Sequence, residues 1–219
     1  FIGLGKLGRD AAEVLAEKHD VVGYDPNINV EGLSGTLEEA CKDKDVVLVA
    51  VQTPHDPKYG GETPTSHLEP KDFDYSYLIQ AVKDVDALVD QGTLISVIST
   101  VLPGTVRREI LPLIKNGRFI YNPYLIAQGT VKWDMRYPEM IMIGTESGKE
   151  DNDSTILRNV YDPILGKDTR YEIGTWEEIE ALKVFYNTFI TTKLCLVNMI
   201  QDVAMKVGNI NVDVVTNAL

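Results

Sequence analysis

The sequence predicts an α/β protein: a doubly wound parallel sheet followed by one long helix and the start of an all-helical segment. Three observations carry that expectation. Short apolar strands alternate with amphipathic stretches through residues 1–120. A G-x-G-x-x-G turn at Gly3, Gly5 and Gly8 joins the first strand to the first helix. From Trp176 to Val207 neither glycine nor proline interrupts a helical pattern.

Each element follows from local pattern. Residues 1–4 read as the end of an apolar strand, and Leu7, Ala11, Val14 and Leu15 recur at helical spacing over 6–18. DVVGY (20–24) reads as a second short strand. Thr36, with Glu39 three residues on, forms a capping-box start for a helix at LEEAC. DVVLVAV (45–51) is the continuous apolar run of a parallel strand covered on both faces.

Residues 52–73, rich in Pro, Gly and Thr, form a long loop, and a loop of that length in a compact domain more often serves function than mere connection. Asp74 caps a helix to about residue 90, and GTLISVIST (92–100) is another strand. A helix over 104–115, the strand RFIYN (118–122), a further loop, a strand at MIMIG (140–144) and a helix near 149–160 follow. The helix from Trp176 is about 45 Å long at 1.5 Å per residue, a length that bridges domains or packs on a partner chain. Residues 211–219 begin another helix.

Composition narrows the function classes. With 44% hydrophobic and 25% charged residues the chain has the make-up of a soluble globular protein, and no apolar run is long enough to span a bilayer. A net charge of −12 argues against nonspecific nucleic-acid binding, which needs basic residues to neutralise phosphates. Cys41 and Cys195 lie in helical patterns without metal-ligand spacing, as expected of thiols in the reducing cytoplasm. No metal site is expected.

The glycine turn carries the first chemistry. Gly3 makes the tight turn, Gly5 lets the backbone approach a pyrophosphate, and Gly8 allows the helix to pack closely on the strand. The helix start at Lys6, Leu7 and Gly8 then offers free N–H groups and a positive dipole end to phosphate. Asp25 ends the second strand twenty residues after Gly5, where a carboxylate accepts from ribose hydroxyls and disfavours a 2′-phosphate. The expected cofactor is therefore NAD.

VQTP (51–54), STVLPGT (99–105) and NPYL (122–125) each follow a strand, so they converge on the rim of the same site. Thr53, Pro54, Ser99 and Thr100 are the candidates there; plain capping of strand ends by the hydroxyls of Thr53, Ser99 and Thr100 is the alternative. Lys183 and Asn187, four residues apart in EALKVFYN, share one face of the long helix.

Together IGLGKLG, VQTP, STVLPGT, NPYL…YPEMIMIG and E-x-x-K-x-x-x-N resemble the UDP-glucose/GDP-mannose dehydrogenase family, in family order and over nearly the whole chain. The resemblance implies a Rossmann-type NAD-binding domain over residues 1–174. It also implies a central helix that opens a helical dimerisation domain over 175–219, a homodimer, and oxidation of a nucleotide sugar at C6 from alcohol to carboxylate. Carried across, Gly3, Gly5, Lys6, Leu7, Gly8 and Asp25 hold NAD, and Thr53, Pro54, Ser99 and Thr100 line its nicotinamide end. Lys183, Asn187 and Thr100 serve catalysis, and Tyr124, Leu125, Lys183 and Asn187 meet the substrate.

Two departures stand out. Tyr124 occupies the position of the family's glutamate in NPEFL, and a phenol cannot act as a carboxylate base at neutral pH. The family's nucleophilic cysteine lies in a GGxCxPKD stretch that is absent from residues 1–219, and the second oxidation needs that thiol. The start at Phe1 inside a strand and the end at Leu219 lead to the expectation of a longer chain with a C-terminal nucleotide-sugar domain. β-Hydroxyacid dehydrogenases, which share the glycine turn and a Lys-x-x-x-Asn pair, are the second candidate; a non-catalytic NAD-binding or dimerising module is the third.

Overall fold

A computed structural model describes all of residues 1–219. Its core is a five-stranded sheet in the order β1 (Val46–Val49), β2 (Leu94–Val97), β3 (Arg118–Tyr121), β4 (Met140–Thr145), β5 (Arg170–Thr175). The first three strands are parallel, with Val47 opposite Ile95 and Ile95 opposite Phe119. The expected strands at 1–4 and 20–24 are reduced to single bridges, yet they prolong the sheet beyond β1. Ile2 bridges both Tyr24 and Val49 in parallel, and its amide donates to Leu48 O at 2.8 Å while Ala50 N donates back to Ile2 O.

The far edge corrects the expectation of a wholly parallel sheet. β4 runs antiparallel to β3, meeting it at Tyr121 and Gly144, and β5 then runs parallel to β4. RYEIGT is an edge strand that the sequence pattern did not mark, because its half-buried polar residues dilute the apolar alternation. The helix expected over 104–115 is instead a wide π-type turn at Val106–Ile110 continued by a 3₁₀ turn at Leu111–Leu113. Pro112 has no N–H to donate to the carbonyl four residues back, so a regular helix cannot run through it.

Successive strand residues point to opposite faces, and each face receives its own helices. Ile2, Val47, Val49, Ile95, Val97 and Tyr121 pack under helix α3 (Ser76–Asp86), the short helix α2 (Leu37–Cys41) and the 106–113 turns. Leu4, Leu48, Leu94, Ile120, Ile141 and Ile143 meet helices α1 (Gly8–Leu15), α4 (Val131–Arg136) and α5 (Asn152–Tyr161) on the other side. α2 starts on the expected capping box, with Thr36 and Glu39 bonded reciprocally. Helix α6 (Trp176–Val207) lays its first turns on β4 and β5, where Trp176 and Ile179 join the core, and then leaves the sheet. Gly208 ends it at φ +76°, and the short helix α7 (Val212–Thr216) follows.

Two polar groups sit badly in this core, Trp176 Nε1 and the Ser96 hydroxyl. The Ser96 hydroxyl, in the middle of β2, is fully buried and has no hydrogen-bond partner. An unpaired buried hydroxyl costs about 1–3 kcal/mol, so Ser96→Ala is expected to stabilise the protein by about 1 kcal/mol. Thermal unfolding followed by circular dichroism would then show a midpoint raised by about 2–4 °C; a lowered midpoint would mean that the hydroxyl has an unseen partner.

Candidate functional site

Parallel strands bring their following loops to one edge, and here that edge collects the candidate residues. The glycine turn, Asp25, the loop after β1, the loop after β2 and the loop after β3 all lie at carboxyl ends of parallel segments. α1 and α2 leave on opposite faces, so the crevice between residues 1–3 and β1 is the switch point where doubly wound sheets take ligands.

The three glycines have different physical reasons. Gly3 holds φ +93°, and a Cβ there would lie 2.3 Å from Ala50 O. A Cβ on Gly8 would fall 1.8 Å from Gly3 O. Both are therefore demanded by the packing of the turn itself. Gly5 is not: a Cβ built on it meets nothing within 4 Å. The space in front of Gly5 is open, and α1 begins beyond it with no side-chain cap on its N-terminus. Lys6 and Leu7 are exposed at this helix start. The turn thus fits a pyrophosphate approached by backbone and received by uncapped N–H groups.

Asp25 closes the other end. Its Oδ2 accepts from Leu4 N at 2.9 Å, and its Oδ1 accepts from Asn27 N and Ile28 N at 2.9 and 3.1 Å. The amides fix the half-buried carboxylate against the glycine turn and leave one Oδ2 lone pair for a ribose hydroxyl.

The hydroxyls of the rim tie loops together. Thr53 Oγ1 donates to Thr100 O at 2.7 Å, and Ser99 Oγ donates to Val51 O at 2.6 Å, so the loops after β1 and β2 are cross-linked. Pro54 O accepts from Asp74 N, which closes the long loop 55–73 onto the same rim. For Thr53 and Ser99 the strand-end role is thus visible in the chain itself, and Thr100 contributes its carbonyl to the link.

Lys183 and Asn187 line one groove of about 580 Å³ with Leu125, Ile126, Glu139 and Tyr186. Lys183 is 9% exposed, and its Nζ donates to the carbonyl of Tyr124 at 2.7 Å. Burial lowers its pKa below the ordinary lysine value. Asn187, one turn further on, is exposed at the groove. Tyr186 donates from its phenol to Glu139 and so pins the loop before β4 to α6.

Tyr124 enters the site by its main chain. Its side chain turns to the opposite face, where its phenol donates to Tyr161 Oη at 2.7 Å, Tyr161 donates to Asn122 Oδ1, and Asn122 Nδ2 donates to Met142 O at 2.7 Å. Burial pushes both phenols well above the ordinary tyrosine pKa. Leu125 faces the groove beside Lys183.

One residue with a marked position went unassigned in the sequence. Glu180, the glutamate of E-x-x-K-x-x-x-N, is 0% exposed. Its Oε2 accepts from Gly104 N at 2.5 Å and its Oε1 from Val106 N at 2.6 Å. Its spacing of three from Lys183 was the available signal.

Comparison with known proteins decides the family. Residues 27–165 match the model of the UDP-glucose/GDP-mannose dehydrogenase family, NAD binding domain. The chain belongs to this family. The family's cofactor, NAD, is the one that the open Gly5 turn and Asp25 fit. The chain is 30% identical over 189 residues to the GDP-mannose 6-dehydrogenase of Pseudomonas aeruginosa, covering 80% of this chain and 39% of that protein. It is 27% identical over 150 residues to the UDP-glucose 6-dehydrogenase of Rickettsia prowazekii, covering 67% and 33%. A crystal structure of a ternary complex of GDP-mannose dehydrogenase from Pseudomonas aeruginosa superposes with a TM-score of 0.78 at 24% identity, over 99% of this chain and 55% of that one. The chain thus spans a third to about half of the length of these family members. The model match begins after the glycine turn and ends before α6, whereas the structural superposition takes in both. No helix is long and apolar enough to cross a membrane.

Proposed function

We propose that this chain is the NAD-binding and central-helix part of a nucleotide-sugar 6-dehydrogenase of the UDP-glucose or GDP-mannose type, acting in the cytoplasm. The observation that carries the reading is the buried Lys183 ammonium beside Asn187, in a groove at the sheet edge that also bears the open Gly5 turn. NAD supplies a hydride acceptor when bound. Gly3, Gly5, Lys6, Leu7 and Gly8 would hold its pyrophosphate, Asp25 its ribose, and the Thr53–Pro54 and Ser99–Thr100 loops its nicotinamide end.

The chain's own residues supply position and charge. Lys183 stabilises negative charge as it develops on the substrate's C6 oxygen, and a desolvated ammonium does so more strongly than one in water. Asn187 and the Tyr124–Leu125 backbone orient the sugar in the groove. The carboxylate-forming second oxidation requires a thiol, and neither the buried Cys41 nor Cys195, exposed on α6, lies in the groove. The residues described here therefore serve the first oxidation. The family match favours nucleotide sugars over small β-hydroxy acids.

Beyond Tyr186, α6 exposes Phe189, Leu194, Met199, Val203 and Met205. This supports residues 175–219 as the opening of a helical dimerisation domain in a homodimer. The test is titration and turnover. NADH is expected to bind at least about tenfold more tightly than NADPH, because Asp25 repels a 2′-phosphate. The natural enzyme is expected to form NADH with UDP-glucose, GDP-mannose or a related sugar nucleotide. Turnover on a small 3-hydroxy acid instead would overturn the reading.

A further inference from the structure

Two motifs that lie far apart in sequence, STVLPGT and E-x-x-K-x-x-x-N, meet through one side chain. Glu180 projects from α6 into the loop after β2, where its two carboxylate oxygens take the amides of Gly104 and Val106. The loop is held from the other side as well: Tyr75 Oη accepts from Leu102 N at 3.1 Å and from Thr105 Oγ1 at 3.3 Å. Of these two clamps only Glu180 stands on the helix that carries Lys183, one turn before it.

A buried carboxylate is an expensive way to join two elements. The nearby Arg107 makes no ion pair with Glu180: its guanidinium is bonded to Glu177 and stacks over Trp176 at 5.0 Å, and it attracts Glu180 only from a distance. Burial pushes the Glu180 carboxyl above the ordinary range, and the amides of Val106 and Gly104 pull it back. An apolar side chain of the same volume would spare the charge, but it would leave the Gly104 and Val106 amides without an acceptor and would not fix the register of the two elements. What the carboxylate adds is direction: two N–H vectors from the loop locate one point on α6.

We infer that Glu180 is a positioning residue, which sets the Lys183–Asn187 turn of α6 relative to the Ser99–Thr100 loop and so holds substrate groove and cofactor rim in one geometry. This rests on the reading above for the role of Lys183, while the link between the two elements does not. Lys183 keeps its buried place against Tyr124 O only while this turn of α6 stays in register.

Glu180→Gln and Glu180→Met, prepared in the full natural chain, test this. Met has no NH2 group to set against the Gly104 or Val106 N–H, so it guards against a Gln variant that fails to fold. The first readout is the pH profile of acetylation at Lys183, followed by mass spectrometry; the second is NADH affinity; the third is steady-state kinetics. In a folded variant the Lys183 profile is expected to move towards that of an ordinary lysine by about half a pH unit or more. NADH affinity should stay within about threefold, while kcat falls by about tenfold or more. A folded variant with an unchanged Lys183 profile and unchanged kcat overturns the inference. If the wild-type protein neither binds NADH nor oxidises a sugar nucleotide, the functional reading fails, and the labelling profile still decides the role of Glu180.

Discussion

Lys183→Met is expected to lower kcat for oxidation of the nucleotide sugar by about 10²–10³-fold, the loss found when one preorganised donor to a developing oxyanion is removed. NAD affinity should change little, since Lys183 lies in the groove beside Leu125 and Asn187 rather than at the glycine turn. The fold should survive. Burial lowers the Lys183 pKa, so the folded state holds that proton less firmly than the unfolded chain does. The resulting penalty is in force at neutral pH and fades only as pH rises from the lowered pKa towards the ordinary lysine value of 10.5. Methionine carries no such penalty.

The same shift predicts an activity limb. If the ammonium is the working form, wild-type kcat falls with rising pH earlier than an ordinary lysine would allow, and the Met variant lacks that limb. Steady-state kinetics across pH, with NADH titration by fluorescence, check both statements. An unchanged kcat would return Lys183 to a packing role.

Two glycine substitutions should separate folding from binding. Gly8→Ala places a methyl 1.8 Å from Gly3 O, and both the oxygen and the methyl belong to backbone positions that cannot swing aside. The expected loss is on the order of 3 kcal/mol or more, with NADH binding lost alongside the fold. Gly5→Ala meets no atom of the protein within 4 Å, so its thermal midpoint should stay at or slightly above the wild-type value. Its methyl would nevertheless stand where the pyrophosphate approaches, and NADH affinity should fall by about a hundredfold. Unfolding curves and titrations on the two variants give the answer. Wild-type affinity in Gly5→Ala would mean that the open space serves something other than the cofactor.

Much of this architecture could be read from residue pattern, for identifiable reasons. β1, β2 and β3 are buried on both faces, which leaves continuous apolar runs, and the capping box at Thr36 has a signature of its own. α6 was legible because nothing in it breaks a helix before Gly208. The reversed direction of β4 was not, since strand polarity depends on the connection through 123–139 and leaves no mark in MIMIG. β5 was missed because one of its sides is an edge. The irregular 106–113 turns passed for a helix because Val106 and Ile110 keep helical spacing across a break at Pro112.

The site divides in the same way. Glycine spacing and the place of Asp25 are local, so they could be read along the chain. That Gly5 alone faces open space is a property of Ala50 and Gly3 packing elsewhere, which no spacing reveals. Glu180 was hidden because its partners are backbone amides more than seventy residues away, and an amide has no letter in a sequence.

Lys183 is received by a main-chain oxygen, that of Tyr124. A carbonyl is supplied by whichever residue stands at that position, so the anchor of the ammonium is blind to mutation there. The side chain at 124 is engaged with Tyr161 on the opposite face, so its chemistry answers to that contact and not to the lysine. A lineage could change that letter, and with it the chemistry available beside the sheet, while the charge at the centre of the groove stayed where it was.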